Sequence, residues 1–307
     1  MPHEQLILVT GANGLVGSRL LARLAAEGGH DVLAVGRGML RDPAPPRVRY
    51  VDLDLLRPDS LQALIEREEP AAILHAAAMT DVDACERDPA SARLVNELAA
   101  AAAAAGARRV SARLVALSTD YVFDGEAGPY GEEGRPNPRG VYAVTKLAGE
   151  RAVQELLPSA SIARVAVIFS GRRGAKKTFA SAAADSFAQG KEVKAFHDQI
   201  VSPTLADNAA EMVLGILRKG GPGIFHCSGA TALSRVDFCL RLARKMGADE
   251  RLIVPVALAE LRLPAPRPLR CALKVDKVKR LLGEGVPLNI DTALDRFLEE
   301  RKEAGWR

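Results

Sequence analysis

The chain has 307 residues, of which 48% are hydrophobic and 26% are charged, so its composition is that of a folded globular protein and excludes a disordered one. The 42 Lys and Arg residues exceed the 38 Asp and Glu residues by only four, and no basic run alternates with aromatic residues, so nucleic-acid binding is not expected. The longest apolar run, 99–105, is far shorter than the roughly 20 residues of a membrane-spanning helix.

The cysteines indicate a reduced compartment. No pair has C-x-x-C spacing, and no His lies at metal-ligand spacing from any of the four, which are Cys85, Cys227, Cys239 and Cys271. Residues 1–5 lack the basic and apolar segments of a signal peptide. We therefore expect a cytoplasmic protein without disulfides and without a bound metal.

The first half of the chain alternates short apolar segments with segments of helical periodicity. Strands are predicted at 6–10, 31–36, 49–53, within 71–78, and at 113–118 and 161–169. Helices are predicted between them at 15–27, 61–66, 90–105 (ending at Gly106) and 141–156. This alternation predicts an α/β fold, a doubly wound, Rossmann-like parallel sheet that helices cover on both faces.

The pattern changes after residue 170. Helices are predicted at 179–189, 207–217 and 290–302, a strand at 223–228, and the chain becomes rich in Pro after 251. We expect a dinucleotide-binding domain at 1–170 and, mainly in 171–307, a smaller substrate-binding lobe. The strand near Phe225 is expected to return to the sheet, which would add about 203–227 to the first domain.

A glycine motif connects the first predicted strand to the first helix. Gly11, Gly14 and Gly17 form G-x-x-G-x-x-G. Glycines at this spacing allow a tight turn, a close backbone approach to a pyrophosphate and close packing of helix on strand, while the helix N-terminus faces the anion. The motif predicts dinucleotide binding; the alternative is a turn without a ligand.

The residue after the second strand bears on the choice of cofactor. NAD-binding folds place an acidic residue about 20 positions beyond the glycines, but this chain has Arg37 there. A guanidinium suits the 2′-phosphate of NADPH, whereas the alternative is a surface Arg near Arg41. Asp54 and Leu55, after the third strand, are candidates for adenine contact, and the alternative role of Asp54 is a helix cap.

A second group of residues suggests proton-transfer chemistry. Tyr142 and Lys146 are four residues apart and share one face of the predicted helix 141–156. A phenol has a pKa of about 10, and a nearby ammonium would lower it. Thr119 lies at the carboxyl end of the fifth strand, where a hydroxyl can hold a substrate carbonyl. The alternative for the Tyr/Lys pair is a solvated pair on a helix surface.

Together these residues resemble the extended short-chain dehydrogenases/reductases and, more narrowly, the dTDP-4-dehydrorhamnose reductase family. Residues 75–86 (HAAAMTDVDACE) are similar to its N-A-A-A-x-T-x-V-D-x-x-E segment, and 118–125 to its S-T-D-Y-V-F-D-G. Residues 141–150, 198–204 and 264–268 are similar to its V-Y-x-x-T-K-L-A-G-E, D-Q-x-x-S/A-P-T and P-R-P motifs. The resemblance extends from about residue 6 to residue 297.

The resemblance implies NADPH-dependent reduction of the 4-keto group of a nucleotide-linked 6-deoxyhexose, with dTDP-4-dehydrorhamnose as the expected substrate. Hydride would pass from nicotinamide to C4 of the sugar, and the catalytic residues would be Thr119, Tyr142 (the proton donor) and Lys146. The implied cofactor-binding residues are Gly11, Asn13, Gly14, Leu15, Val16, Gly17, Arg37, Asp54, Leu55, Ala76, Ala77, Ala78, Tyr142 and Lys146. The implied substrate-binding residues are Thr80, Thr119, Asp120, Tyr121, Val167 and Gln199. The resemblance also implies a homodimer and leaves NADH as an alternative cofactor. Some members of the family bind Mg²⁺, but this sequence shows no carboxylate cluster to which the ion can be assigned.

Three positions depart from the family pattern. Val167 replaces a Trp that packs against the sugar, His75 replaces an Asn, and Met79 replaces an aromatic residue or His. The sixth strand also resembles that of the regulatory β subunit of methionine adenosyltransferase, a non-catalytic relative that keeps a cofactor site and a similar Tyr/Lys pair. The alternatives are therefore another sugar-nucleotide ketoreductase or epimerase, or a cofactor-binding regulatory subunit.

Overall fold

The computed structural model describes residues 5–172 and 177–306. Residues 1–4, on which the expectation of no signal peptide mainly rests, lie outside the described residues. The described strands are β1 Gln5–Thr10, β2 His30–Gly36, β3 Val48–Asp52, β4 Ala72–His75, β5 Arg113–Thr119, β6 Ser161–Val165, β7 Ile168–Phe169, β8 Val193–Phe196, β9 Ile200–Val201, β10 Thr204–Leu205, β11 Gly223–His226, β12 Leu233–Ser234 and β13 Ile253–Val256. The described α-helices are α1 Leu15–Glu27, α2 Pro58–Glu68, α3 Val82–Arg87, α4 Pro89–Arg93, α5 Ala99–Arg109, α6 Val141–Leu156, α7 Phe179–Ala188, α8 Ala206–Lys219, α9 Arg235–Met246, α10 Asp276–Leu282 and α11 Ile290–Glu303.

Seven strands form the central sheet in the order β11-β6-β5-β4-β1-β2-β3. Every neighbouring pair in it is parallel, so all carboxyl ends lie along one edge. The chain order reverses between β1 and β4, which opens a crevice at that edge, the usual ligand position in such sheets. The doubly wound parallel sheet predicted from the sequence is confirmed, and β11 lies at its edge beside β6.

Helices cover both faces of the sheet because successive side chains of each buried strand point to opposite faces. Val9 packs with α1 and α8, whereas its neighbour Leu8 packs with α2 and α5. Both side chains are fully buried. The near-continuous apolar strands of the sequence are therefore explained by burial on two faces.

The predicted helix 90–105 differs from the observed one. The observed helix is interrupted by a wider, π-type turn at Leu94–Leu98 and then continues past Gly106 to Arg109. Gly106 does not end the helix, because its role is close packing: a Cβ there would lie 2.9 Å from Cγ2 of Ile65 on α2. The π-type turn directs Asn96 into the interior.

The predicted sixth strand, 161–169, breaks in the middle. β6 ends at Val165, and Val167 adopts a left-handed conformation with φ of 41°, which is strained for a β-branched residue. The Val167 carbonyl accepts a hydrogen bond from the Thr204 amide at 3.1 Å, and β7 then pairs with β10 rather than with the sheet. This break carries the chain from the sheet into the second lobe.

The second lobe has its own aromatic core. Phe169 packs edge to face against Phe238 and Phe297, each with a centroid separation of 5.6 Å. Around them lie α7, α9 and α11 and the short pairs β8–β13 and β9–β12. The smaller C-terminal lobe expected from the sequence is therefore present beside the sheet.

Within residues 5–172 and 177–306, no helix has the length and apolar character needed to cross a membrane. The same residues contain no group of three or more His, Cys, Asp and Glu side chains arranged to hold a metal ion. All four cysteines are buried, and none forms a disulfide with a described residue.

Candidate functional site

The predicted site residues meet at the carboxyl edge of the central strands. The glycine motif follows β1, Arg37 follows β2, Ala76 follows β4 and Thr119 ends β5. Gly11 has φ of 71°, and a Cβ on it would lie 2.8 Å from the Ala76 carbonyl carbon and the Ala77 amide nitrogen. The loops after β1 and β4 thus touch backbone to backbone, which only glycine allows at position 11.

The N-terminus of α1 has features of an anion-binding site. Gly14 is its N-cap and provides no capping side chain, and the first turn has no acidic residue. The amides of Leu15 and Val16 therefore face the crevice uncapped by a side chain. This arrangement fits the pyrophosphate of a dinucleotide.

Asn13 has a structural role that the sequence did not reveal. Its side-chain amide donates to the carbonyls of Arg37 and Met39 at 3.2 and 3.1 Å, and its oxygen accepts from the Arg41 amide at 2.9 Å. The Tyr50 hydroxyl donates to the Gly38 carbonyl at 2.6 Å. The backbone after β2 is thereby fixed, and the Arg37 side chain extends from it into solvent.

The two adenine candidates differ in exposure. Leu55 is buried in the core beside α2, whereas Asp54 is exposed. Oδ1 of Asp54 accepts the Leu56 amide at 3.0 Å in the turn that precedes α2, while Arg57 is the N-cap of that helix.

Tyr142 and Lys146 are both buried on the face of α6 that packs against β5. The Tyr121 ring packs edge to face on Tyr142 with a centroid separation of 5.9 Å, and the Thr119 hydroxyl lies close enough to the phenol to lower its pKa. The Lys146 ammonium donates to the Leu117 carbonyl at 2.7 Å. The alternative of a solvated pair on a helix surface is thus wrong.

The expected effect of Lys146 on Tyr142 is also wrong. Burial raises the pKa of Tyr142 above its usual value, the neighbouring Thr119 hydroxyl lowers it by less, and the negative charge of Asp120 raises it further. Burial lowers the pKa of Lys146 to about 8, with Glu150 opposing the shift. The physical reason is desolvation of the phenol, together with the placement of the ammonium at the Leu117 carbonyl. Tyr142 therefore stays protonated, the form that a proton donor needs.

Asp120 is the most unusual carboxyl group of the site. It is 2% exposed, and Thr119 Oγ1 donates to its Oδ1 at 3.1 Å. Its Oδ2 is buried and has no hydrogen-bond partner among the described residues. Burial raises the pKa of Asp120 to about 7, although the hydrogen bond from Thr119 and the charge of Arg235 both oppose the shift.

Gln199 connects two segments that border the crevice. Its side-chain amide donates to the Pro268 carbonyl at 3.2 Å, and its oxygen accepts from Nε of Arg235 at 3.3 Å. The Arg235 guanidinium also lies 4.8 Å from the centroid of the Phe179 ring. The sequence did not indicate Arg235, because an Arg at the start of a helix has no distinguishing pattern.

The motifs of the family resemblance are joined in space. Arg267, in the segment 264–268, forms an ion pair with Asp83 of α3 at 2.9 Å. Glu86, on the same helix, accepts the Val141 amide at 2.6 Å and so fixes the start of α6. Of the remaining substrate candidates, Thr80 is exposed, and Val167 lies at the break between β6 and β7.

A second residue that sequence reasoning missed is Asn96. It is 1% exposed; its oxygen accepts the Met79 amide at 2.9 Å, and its amide donates to the Thr145 hydroxyl at 3.2 Å. It therefore ties the loop after β4 to α6, between Tyr142 and Lys146. The available signal was a single Asn in an otherwise Ala-rich apolar helix.

His75, one of the departures from the family pattern, is neutral and structural. It is 1% exposed, and its Nδ1 lies 3.0 Å from the Thr10 hydroxyl, which in turn accepts the Ala77 amide at 3.1 Å. Burial lowers its pKa to about 3, with a smaller effect from the charge of Lys146. The histidine thus links β4 to β1 beneath the crevice.

The sequence and structure are similar to those of known proteins. The family model described as the RmlD substrate binding domain matches residues 5–302. A probable low-salt glycan biosynthesis reductase of Haloferax volcanii is 35% identical, with 91% of this chain and 93% of the relative covered. The dTDP-4-dehydrorhamnose reductase of Mycobacterium tuberculosis is 34% identical, with 88% and 85% covered. Subunit beta of methionine adenosyltransferase 2 from Xenopus tropicalis is 30% identical, with 98% and 89% covered.

A solved structure extends this similarity to the whole fold. The dTDP-4-dehydrorhamnose reductase of Bacillus anthracis, determined in complex with NADP, superposes with a TM-score of 0.83 at 26% identity. The match covers 97% of this chain and all of the other.

Proposed function

The chain belongs to the RmlD substrate-binding-domain family, and on this basis we propose that it is an NADPH-dependent reductase of the 4-keto group of a nucleotide-diphospho-6-deoxyhexose. The observation that carries the proposal is the buried, protonated Tyr142, which lies near Thr119 at the carboxyl edge of the sheet beside the glycine motif. The expected reaction converts dTDP-4-dehydrorhamnose to dTDP-rhamnose.

The residues at the crevice fit NADPH. The uncapped amides of Leu15 and Val16 would hold the pyrophosphate, and Ala76–Ala78 would line a ribose. The exposed Arg37 suits the 2′-phosphate, so NADPH is preferred to NADH. When bound, NADPH supplies the hydride. We assign no Mg²⁺, because the described residues contain no cluster of metal ligands.

Tyr142 is assigned as the donor of the proton that the sugar oxygen receives. Its raised pKa keeps the phenol protonated until charge develops on that oxygen. Lys146, whose pKa is lowered to about 8, provides an ammonium next to the crevice, and its bond to the Leu117 carbonyl fixes its position. Thr119 donates its single hydroxyl proton to Asp120, so contact with a substrate carbonyl requires that bond to open.

We further propose that residues 1–170 and about 203–227 bind the cofactor, while the lobe formed mainly by 171–307 binds the nucleotide sugar. The Arg267–Asp83 ion pair ties this lobe to α3 beside the crevice, and the Gln199–Pro268 bond joins two segments within the lobe. Four buried thiols fit a reducing cytoplasm, and a homodimer is the expected assembly.

A specific observation supports a second candidate, a cofactor-binding regulatory subunit. The similarity to a methionine adenosyltransferase β subunit covers 98% of the chain, and Val167 lacks the apolar face of the family Trp. This candidate predicts tight binding of NADPH without reduction of a keto sugar.

The deciding experiment measures NADPH oxidation with dTDP-4-dehydrorhamnose and with other dTDP-4-keto-6-deoxyhexoses, while cofactor binding is measured separately. Turnover that requires the keto sugar supports the reductase. If NADPH binds and no keto sugar is reduced, the regulatory-subunit proposal replaces it. Preference for another keto sugar would keep the reaction class and change the substrate.

A further inference from the structure

A buried arginine on α1 has no partner for its charge. Arg19 lies one helical turn after Leu15 and is only 6% exposed. Its guanidinium forms no hydrogen bond or ion pair with another described residue. A buried charge without a partner destabilises a fold, and proteins normally pair such a group with a carboxylate. Arg19 is therefore a cation for which the described part of the chain provides no direct compensation.

Three carboxylates influence Arg19 electrostatically, but none of them pairs with it. Asp207 pairs instead with Arg23 at 2.6 Å. Glu300 accepts a backbone amide of the segment after β7 at 2.8 Å, and Asp42 is exposed to solvent. Burial lowers the pKa of Arg19, and the charges of the three carboxylates oppose that shift. A guanidinium nevertheless stays protonated in a protein, so Arg19 keeps its positive charge.

Arg19 lines a pocket that begins at the N-terminus of α1. The pocket includes the N-cap residue Gly14, together with parts of the loop after β2 and of the segment after β7. Two further cations, Arg41 and Arg172, also line it, and both are exposed. Asp42 is the one acidic side chain among the described lining residues. Uncapped peptide amides and three arginines thus face one pocket, which is the chemistry that binds phosphate groups.

The direction of helical side chains brings the Arg19 guanidinium towards the first turn of α1. Side chains in an α-helix lean towards its N-terminus, and one turn advances the axis by only about 5.4 Å. An arginine side chain spans a comparable distance, so Arg19 can reach an anion held by the amides of Leu15 and Val16. Arg37, the candidate for the 2′-phosphate, does not line this pocket. The phosphate groups within reach of Arg19 are therefore those of the cofactor diphosphate.

We propose that Arg19 binds the diphosphate of NADPH and neutralises part of its charge. This inference rests on the proposed binding of a dinucleotide and adds a residue that the glycine motif does not specify. The diphosphate carries two negative charges, whereas the backbone amides of a helix N-terminus provide only a partial positive charge. Because Arg19 is largely removed from water, its attraction to a phosphate is stronger than that of a solvated cation. Binding of the anion thus offsets the cost of burying the guanidinium.

The test compares cofactor affinity in wild type and in Arg19→Met, which keeps an apolar stem and removes the charge. NADPH and NADH share the diphosphate, so the Kd of each should rise by the same factor, roughly tenfold to 100-fold. ADP-ribose, which has the diphosphate but neither nicotinamide nor 2′-phosphate, should lose affinity by the same factor. An unchanged Kd for NADH or for ADP-ribose, with or without a loss for NADPH, would overturn the proposal.

Arg23→Met is the matched control, because Arg23 lies one turn further along the same helix and has its own partner, Asp207. This variant should bind both cofactors and ADP-ribose as tightly as wild type.

Thermal unfolding of the cofactor-free protein separates a binding role of Arg19 from a structural one. Arg19→Met removes an uncompensated charge, so it should unfold at the same temperature as wild type or at a higher one. Arg23→Met removes one partner of an ion pair and should unfold at a lower temperature. If Arg19→Met unfolds at a lower temperature than wild type, Arg19 is a structural residue and the proposal fails.

Arg19→Lys tests whether the charge itself is responsible. Lysine keeps a positive charge but lacks the forked hydrogen-bonding geometry of the guanidinium. Arg19→Lys should therefore bind NADPH and NADH more tightly than Arg19→Met and less tightly than wild type. Equal Kd values for the Lys and Met variants would contradict a role for the charge.

Failure of this inference and failure of the proposed function are distinguishable, because binding is measured without turnover. If wild type binds both cofactors but reduces no keto sugar, the reductase proposal fails, and the affinities of Arg19→Met still decide the inference. If the protein is an active reductase and Arg19→Met binds both cofactors as wild type does, the inference alone fails. Absence of binding of NADPH, NADH and ADP-ribose to wild type would overturn both.

Discussion

The Lys146 ammonium donates a hydrogen bond to the backbone carbonyl of Leu117 across 2.7 Å. Leu117 is two residues before Thr119 on β5, and Lys146 is one helical turn after Tyr142 on α6. This bond therefore fixes the helix that carries Tyr142 to the strand that carries Thr119, and it anchors the ammonium at the floor of the crevice.

Tyr142→Phe should fold and bind NADPH but reduce the keto sugar roughly 10²–10⁴-fold more slowly, because the general acid is lost. Steady-state kinetics and cofactor titration of the same preparation measure both properties. Tyr130→Phe is the matched control. It also removes one phenol hydroxyl, but the Tyr130 ring stacks on Phe123, with a centroid separation of 4.2 Å, and has no part in the proposed proton transfer. Near-normal kcat in Tyr142→Phe would show that the proton donor is another group.

Arg37→Ala should weaken NADPH binding about tenfold or more, as expected for the loss of a charge-assisted bond of about 1.5–3 kcal/mol. NADH binding should change little because NADH has no 2′-phosphate. Arg151→Ala removes an exposed positive charge from α6 and should leave both affinities unchanged. Equal losses for the two cofactors in Arg37→Ala would mean that Arg37 does not contact the 2′-phosphate.

Glu150→Gln should reduce the free energy of unfolding by about 3–5 kcal/mol, because it leaves the buried Arg164 charge uncompensated. The two groups form paired bonds of 2.9 and 2.7 Å at 1% and 3% side-chain exposure. Urea denaturation provides the measurement. Glu126→Gln, which affects an exposed pair with Arg139, should cost less than about 1 kcal/mol.

The double variant Glu150→Leu with Arg164→Met completes this test. It removes both charges and should lose less stability than Glu150→Gln alone. The single variants Glu150→Leu and Arg164→Met complete the cycle. If the loss of stability in the double variant equals the sum of the losses in these two single variants, the charges do not stabilise each other and the prediction fails.

Val167→Trp should increase kcat/KM for dTDP-4-dehydrorhamnose more than for other 4-keto sugar nucleotides, because an indole offers an apolar face to the sugar. The left-handed backbone at Val167 strains a β-branched residue, and Trp has no branch at Cβ. Val167→Ala controls for changes in the backbone. A uniform loss with all sugars and unchanged cofactor binding would exclude dTDP-4-dehydrorhamnose as the substrate.

The sequence predicted the sheet and the glycine motif because both depend on local patterns. Apolar strands, helical periodicity and the spacing of Gly11, Gly14 and Gly17 each reflect neighbouring residues. The roles of Gly106 and Asn13 depended on distant partners: Gly106 packs on Ile65, and Asn13 holds the backbone after β2. Such contacts leave no periodic signal.

The sequence predicted which residues form the site better than it predicted their protonation states. Tyr142 and Lys146 were identified from their spacing, but the direction of the Tyr142 pKa shift depends on burial and on Asp120, and spacing specifies neither. Arg235 illustrates the same limit, since only the folded chain brings α9 to the turn after β5.

The most direct test of the central claim follows the hydride itself. NADPH deuterated at C4 of the nicotinamide is incubated with the protein and dTDP-4-dehydrorhamnose, and the sugar is analysed by mass spectrometry and NMR. A reductase of the proposed type places one deuterium at C4 of the product sugar, and Tyr142→Phe greatly slows its appearance. Unlabelled sugar, recovered from wild type under conditions in which NADPH is bound, would contradict the account.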